Sequence, residues 1–143
     1  MALVTSVVRV QQLYLERIDE VLRPLELSFA RYEVLMLLSF STAGAMPMSR
    51  MGALLQVHPT SVTSAVARLE QQGLVQRSRL LTDRRVVLAS ITTAGRRLAG
   101  TATERLNARV FADPGVGESE LAELTRLLGV IRAGSGDAVS TGG

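Results

Sequence analysis

Apolar residues recur at spacings of three and four along most of this chain, and the pattern breaks at a few Pro and Gly positions. Over 3–22 they fall at Val7, Tyr14, Leu15, Ile18, Val21 and Leu22, which predicts an amphipathic helix ended by Pro24. Ser28 can cap a second helix reaching about residue 41. Phe29, Tyr32, Val34, Leu35, Leu37 and Leu38 make that helix apolar on most sides, as a buried helix must be. Residues 42–47 hold Gly44 and Pro47 and read as a loop. A short helix over 49–56 turns Met51, Leu54 and Leu55 inward. His58 and Pro59 then interrupt the pattern. Pro59 suits the first turn of a new helix that runs to about residue 72 and stops at Gly73. Two helices joined by a tight turn, the first of them short, make a helix-turn-helix.

Two β-prone runs follow, over 74–81 and 86–92, with the polar turn Thr82-Asp83-Arg84-Arg85 between them. They predict a two-stranded hairpin with a basic tip. A long helix from Thr93 to about residue 111 is broken by Asp113-Pro114-Gly115. A last helix over 117–131 carries Leu121, Leu124, Leu127, Leu128 and Ile131 on one stripe. The Gly/Ser-rich end, 133–143, is expected to be disordered. No internal repeat is visible. The expected fold is therefore mainly α with a two-stranded β-hairpin, built as one domain over 143 residues.

Composition narrows the chemistry. The chain is 47% hydrophobic but only 3% aromatic, so its core must be aliphatic. Its net charge is +3, and the excess is concentrated over 48–90, where six Arg face two acids. A polyanion could dock there; a solvated basic surface would look the same. All 16 basic residues are Arg, whose rigid fork suits phosphate and base edges. The absence of Cys excludes disulfides, thiol redox sensing and thiolate metal sites, and with a single His no metal or cofactor is expected. There is no thiol nucleophile, no phosphate-cradling Gly loop and no partner for the lone His, so the chain does not read as an enzyme. No apolar run is long enough to span a membrane, and the apolar start lacks a basic leader. A cytoplasmic protein is expected.

On a helical wheel the 59–72 helix places Val62, Ala65, Val66 and Leu69 on one side. Thr60, Ser64, Ala67 and Gln71 point the other way, with Ser61, Thr63 and Arg68 on the flanks. That face is small, hydroxylic and free of acids at its N-terminal end. A helix entering the DNA major groove needs such a face, because hydroxyls can exchange hydrogen bonds with base edges and bulky or acidic groups would clash. An ordinary surface helix with a Ser/Thr-rich start has the same appearance. At the hairpin tip Arg84 and Arg85 are adjacent, and an exposed Arg there can enter a narrow minor groove. A solvated turn is the plain alternative. Asp83 would be a poor direct contact; it is better suited to shaping the turn or pairing with a neighbouring Arg.

The order of these parts, with LSFARYEVL (27–35), VHPTSVTSAVARLEQQGLV (57–75), TDRR (82–85) and ITTAGRRL (91–98), resembles the MarR family of bacterial winged helix-turn-helix regulators. The resemblance spans about 7–131. It implies a homodimer that binds double-stranded DNA at a pseudo-palindromic operator. Residues 28–92 would be the DNA-binding lobe, and 3–23 with 93–132 the dimerisation helices. The recognition positions would correspond to Thr60, Ser61, Thr63, Ser64 and Arg68. The family's Asp-x-Arg wing motif falls on Asp83 and Arg85, with Arg84 next to it. Gly52 departs from the family, which usually has Ala there, at a small cost in helix stability. The resemblance also implies a transcriptional repressor released by a small aromatic or phenolic effector, with Tyr14, Arg17, Arg31, Tyr32 and Met36 on segments that could line its cleft. The alternative is a winged-helix protein-interaction module that does not bind DNA.

Overall fold

Ser28 opens the second helix as its position suggests: its hydroxyl accepts a hydrogen bond from the Arg31 backbone N–H at 3.3 Å. His58 opens the helix that begins at Pro59, with Nδ1 accepting from Thr60 N–H at 3.2 Å. Thr92 opens the next, accepting from Gly95 N–H at 3.0 Å while its hydroxyl donates to the Gly73 carbonyl at 2.8 Å. In the computed structural model, which describes residues 1–137, the helices are α1 (Ala2–Leu22), α2 (Phe29–Phe40), α3 (Met48–Leu55), α4 (Pro59–Gln71), α5 (Thr93–Leu106) and α6 (Glu118–Gly134). A 3-10 turn, Arg23–Leu25, follows α1 at Pro24, and one wide π-turn, Asn107–Phe111, extends α5.

The sheet has one strand more than the sequence suggested. β1 (Ala45–Pro47) lies in the stretch read as loop and pairs antiparallel with β3 (Val87–Ile91), whose other edge pairs with β2 (Val75–Arg79). Met46 faces Ala89, and both are buried. β1 therefore closes the inner edge of the hairpin onto the helices and aims the far end of β2–β3 outward.

The core joins Leu22 of α1, Leu35 and Leu38 of α2, Met51 of α3, Val66 and Leu69 of α4, and Leu106 of α5, all fully buried. It is built of aliphatic side chains and Met apart from the buried Tyr32. Gly95 sits where α5 meets the end of α4. A Cβ there would lie 2.2 Å from the Leu74 carbonyl oxygen, so only glycine allows this approach. Gly52 is different: a Cβ would meet Val57 O at 3.5 Å, an ordinary contact. Gly52→Ala is thus expected to stabilise the protein by about 0.5–1 kcal/mol, read as a higher midpoint in urea unfolding.

At the C-terminal end the helix runs through Gly134, and Asp137 turns back to pair with Arg132, so order extends past the expected start of the tail at 133. The rest of that expectation, 138–143, lies outside the described residues. Among the described residues no helix is long and apolar enough to cross a membrane.

Candidate nucleic-acid interface

α4 buries Val62, Val66 and Leu69 and leaves Thr60, Ser61, Thr63, Ser64 and Arg68 exposed. The burial follows from the spacing of the apolar positions, which fixes one inward face. The exposed face has no acid until Glu70. Arg77 on β2 holds that carboxylate with Nε at 2.8 Å and Nη2 at 2.6 Å, and its backbone N–H approaches the other oxygen at 3.4 Å. The hydrogen bonds from Arg77 hold the Glu70 carboxyl below its usual range. The pair ties α4 to the hairpin and cancels the one negative charge near its exposed face.

The hairpin tip is ordered by its own polar groups. Asp83 Oδ1 accepts from Arg85 backbone N–H at 3.1 Å and from Arg85 Nε at 3.1 Å, and the Asp83 carbonyl accepts from Val86 N–H at 3.0 Å. Asp83 therefore both shapes the turn and pairs with Arg85. The Arg85 hydrogen bonds lower its carboxyl pKa. The depressed value means the pairing persists through neutral pH and is lost only in acid, as pH falls through it. Arg79 Nη1 donates to the Arg84 carbonyl at 2.8 Å, bracing the tip from β2. The Arg85 side chain is 92% exposed, so this ion pair is weak and its guanidinium can exchange Asp83 for another anion.

Two grooves border α4. On one flank Thr63 faces Met48, Ser49, Arg77 and Arg85 across a groove of about 370 Å³. On the other, Ser61, Ser64 and Arg68 face Ser28 and Arg31 of α2 across a groove of about 600 Å³. Thus the recognition positions and Arg85 lie around one helix, with Asp83 paired to Arg85, whereas Arg84 lines neither groove. Arg77, Arg79 and Ser28 were not among them. Arg77 and Arg79 could have been found from β-alternation, which puts them on the face of Val75, toward Glu70.

The effector candidates fall in three places. The Tyr14 hydroxyl donates to Pro114 O at 2.6 Å, and Arg17 donates to Arg109 O and Asp113 O at 3.1 and 2.9 Å, so both bind the turn after α5. Tyr14 also lines an apolar cavity of about 370 Å³ with Ile18, Val110, Phe111, Pro114 and Leu121. Tyr32 and Met36 meet at the Thr103 hydroxyl, 2.8 and 3.4 Å away. Arg31 points to the groove beside α4 instead.

Among solved structures, the chain is similar to Sco5413, a MarR family transcriptional regulator from Streptomyces coelicolor, at 42% identity and a TM-score of 0.89, with 96% of each chain covered. The chain belongs to the MarR family. The MarR family model matches residues 27–87, which take in α2, α3, α4, β1, β2 and the start of β3. The MarR winged-helix fold is also that of a mutant of MarR from E. coli complexed with operator DNA, at 23% identity and a TM-score of 0.84, covering 92% of this chain and 94% of that one. Sco3205, a MarR family transcriptional regulator from Streptomyces coelicolor in complex with DNA, matches at 21% identity and a TM-score of 0.80, with 93% and 85% covered. At those identities the likeness is one of fold. No curated protein matches the chain in a sequence comparison.

Proposed function

We propose that this MarR-family protein is a sequence-specific double-stranded-DNA-binding transcriptional regulator that acts as a homodimer, and that it is a repressor released by a small ligand. The observation that carries the DNA reading is the exposed, acid-free face of α4, with Thr60, Ser61, Thr63, Ser64 and Arg68 between two arginine-bearing grooves. Such a helix fits the major groove, with the hairpin tip reaching the adjacent minor groove through Arg85, or Arg84 beside it. The MarR-family relatives whose structures contain DNA support the same reading.

The homodimer reading rests on α6 and α1. α6 buries no residue against its own chain, yet Leu121, Leu124, Leu127, Leu128 and Ile131 form an apolar stripe along it. α1 likewise exposes Leu3, Val4, Val7, Val8, Val10 and Leu13. Surface of that kind belongs against a partner. The division of labour would then be a DNA-binding lobe over 28–92 and dimerisation helices over 3–23 and 93–132. An effector would enter between these parts near Tyr32 and Met36, which meet Thr103 of α5, or within the dimerisation helices near Tyr14 and Arg17. The apolar cavity at Tyr14 supports an aromatic or phenolic class.

The test is binding to an operator duplex over a salt series. Arg85→Ala is expected to weaken binding and to lower the log–log salt slope by about 1.8, two contacts per dimer at about 0.9 each. Its melting temperature should stay near wild type, because an exposed tip contributes little to folding. Wild-type affinity and slope in both Arg85→Ala and Arg84→Ala would mean that the hairpin does not touch DNA. A wild-type protein that bound no duplex would leave the protein-interaction module as the reading.

A further inference from the structure

A helix lying in the major groove, about 12 Å wide, has a sugar–phosphate backbone on each side. α4 has a cationic groove on each flank, but the two differ in origin and in electrostatics. On the hairpin flank Arg77 and Arg85 are paired with Glu70 and Asp83. On the opposite flank the cations are Arg31, from a helix outside the helix-turn-helix pair and the hairpin, and Arg68. Neither forms a salt bridge among the described residues.

Arg31 is held rather than free. Its Nη2 donates to the Glu26 carbonyl at 3.2 Å, and the same carbonyl accepts from Gln72 Nε2 at 3.0 Å, at a backbone position in the left-handed region. Its Nε is buried without a hydrogen-bond partner. The guanidinium is therefore tethered at the Glu26 carbonyl, in the turn before α2, which Gln72 at the end of α4 also holds, and its remaining Nη hydrogens are left for an anion. Arg68 adds a second guanidinium, engaged only by a long contact of 3.4 Å to Gln71. The hydroxyls of Ser28, Thr60, Ser61 and Ser64 line the rest, and the N-terminus of the 12-residue α2 opens beside them. Asp19 and Glu26 border the adjoining cleft, where Arg23, Arg31 and Arg68 outnumber them.

We propose that this groove seats a backbone phosphate of the DNA strand running along the α4 flank opposite the hairpin, with Arg31 and Arg68 as its cationic partners and Ser28 and Ser61 as hydroxyl donors. α2 thereby becomes part of the DNA-binding surface, and the duplex is gripped on both sides of α4. The proposal rests on the reading of α4 as the helix that enters DNA. It also reassigns Arg31 from effector binding to DNA binding.

The experiment compares wild type, Arg31→Gln and Arg31→Lys on one operator duplex over a salt series, with melting curves for each. Arg31→Gln should lower the salt slope by about 1.8 per dimer, and Arg31→Lys should restore most of it, since the charge is kept. In a second arm, single phosphates of the duplex are replaced in turn by uncharged methylphosphonates. At one position per half-site the replacement should weaken wild type and have no further effect on Arg31→Gln, the coupling expected of a direct contact. If Arg31→Gln is poorly folded, the same cycle is run with Arg68→Gln, whose side chain is exposed and engaged only by the long contact to Gln71. A wild-type salt slope in Arg31→Gln, or no methylphosphonate position that depends on Arg31, would overturn the proposal while duplex binding sensitive to Arg85→Ala left the DNA reading standing. Absence of duplex binding by wild type would remove both.

Discussion

Replacing Thr60 and Ser64 together by Glu is expected to abolish operator binding and leave the fold intact. Both side chains are exposed on α4, and neither packs in the core. Thr60 lies in the first helical turn after the His58 cap, where a carboxylate interacts favourably with the helix dipole by about 0.3–1 kcal/mol. The melting temperature should therefore be unchanged or slightly raised. Against DNA the same substitution places four carboxylates per dimer on the surface that meets base edges and phosphates. Like-charge contact of that kind costs several kcal/mol, so affinity should fall by about a thousandfold or more. The measurement is a binding titration beside a thermal melt. Normal operator affinity in a folded double variant would mean that α4 does not enter the groove.

Replacing Leu124 and Leu128 together by Glu is expected to break the dimer. The two lie four residues apart on α6, in line with Leu121 and Ile131, and each is nearly half exposed in the isolated chain. A full apolar side chain contributes about 1.5–3 kcal/mol on burial, and about half of each remains to be buried, so the four sites of a dimer would lose about 3–6 kcal/mol before the charges are counted. Wild type should sediment as a dimer at micromolar concentration, with an interface above about 2,000 Å². The variant should sediment as a monomer or unfold, and should bind operator no better than a single half-site allows. A folded wild-type monomer, or a variant that stayed dimeric, would remove α6 from the interface.

Much of this fold was legible because it rests on local chemistry. Pro24, Ser28, Pro59 and Gly73 mark the helix ends within a residue or two, and the spacing of Val62, Val66 and Leu69 gives the inner face of α4. β1 was not legible. It is three residues long, holds Pro47, and exists only because β3 offers an edge more than 40 residues away in sequence. The candidate site divides the same way. The exposed positions of α4 and the Asp83–Arg85 turn follow from periodicity and turn chemistry. The Glu70–Arg77 pair and the placement of Arg31 depend on which elements pack together. The same limit scattered the effector candidates: Tyr14, Tyr32 and Arg31 each lie on a suitable helix, but periodicity does not say which helix each will face.

The central claim, a two-fold dimer reading DNA sequence through α4 and the hairpin, is tested most directly by selection from a library of randomised duplexes with the wild-type protein at physiological salt. The account predicts enrichment of a pseudo-palindrome whose half-site centres lie about 10 base pairs apart, roughly 34–36 Å, or a multiple of that spacing. It also predicts that the Thr60→Glu, Ser64→Glu double variant enriches nothing. A pool that stayed random under wild-type selection, or the same motif recovered by the double variant, would contradict it.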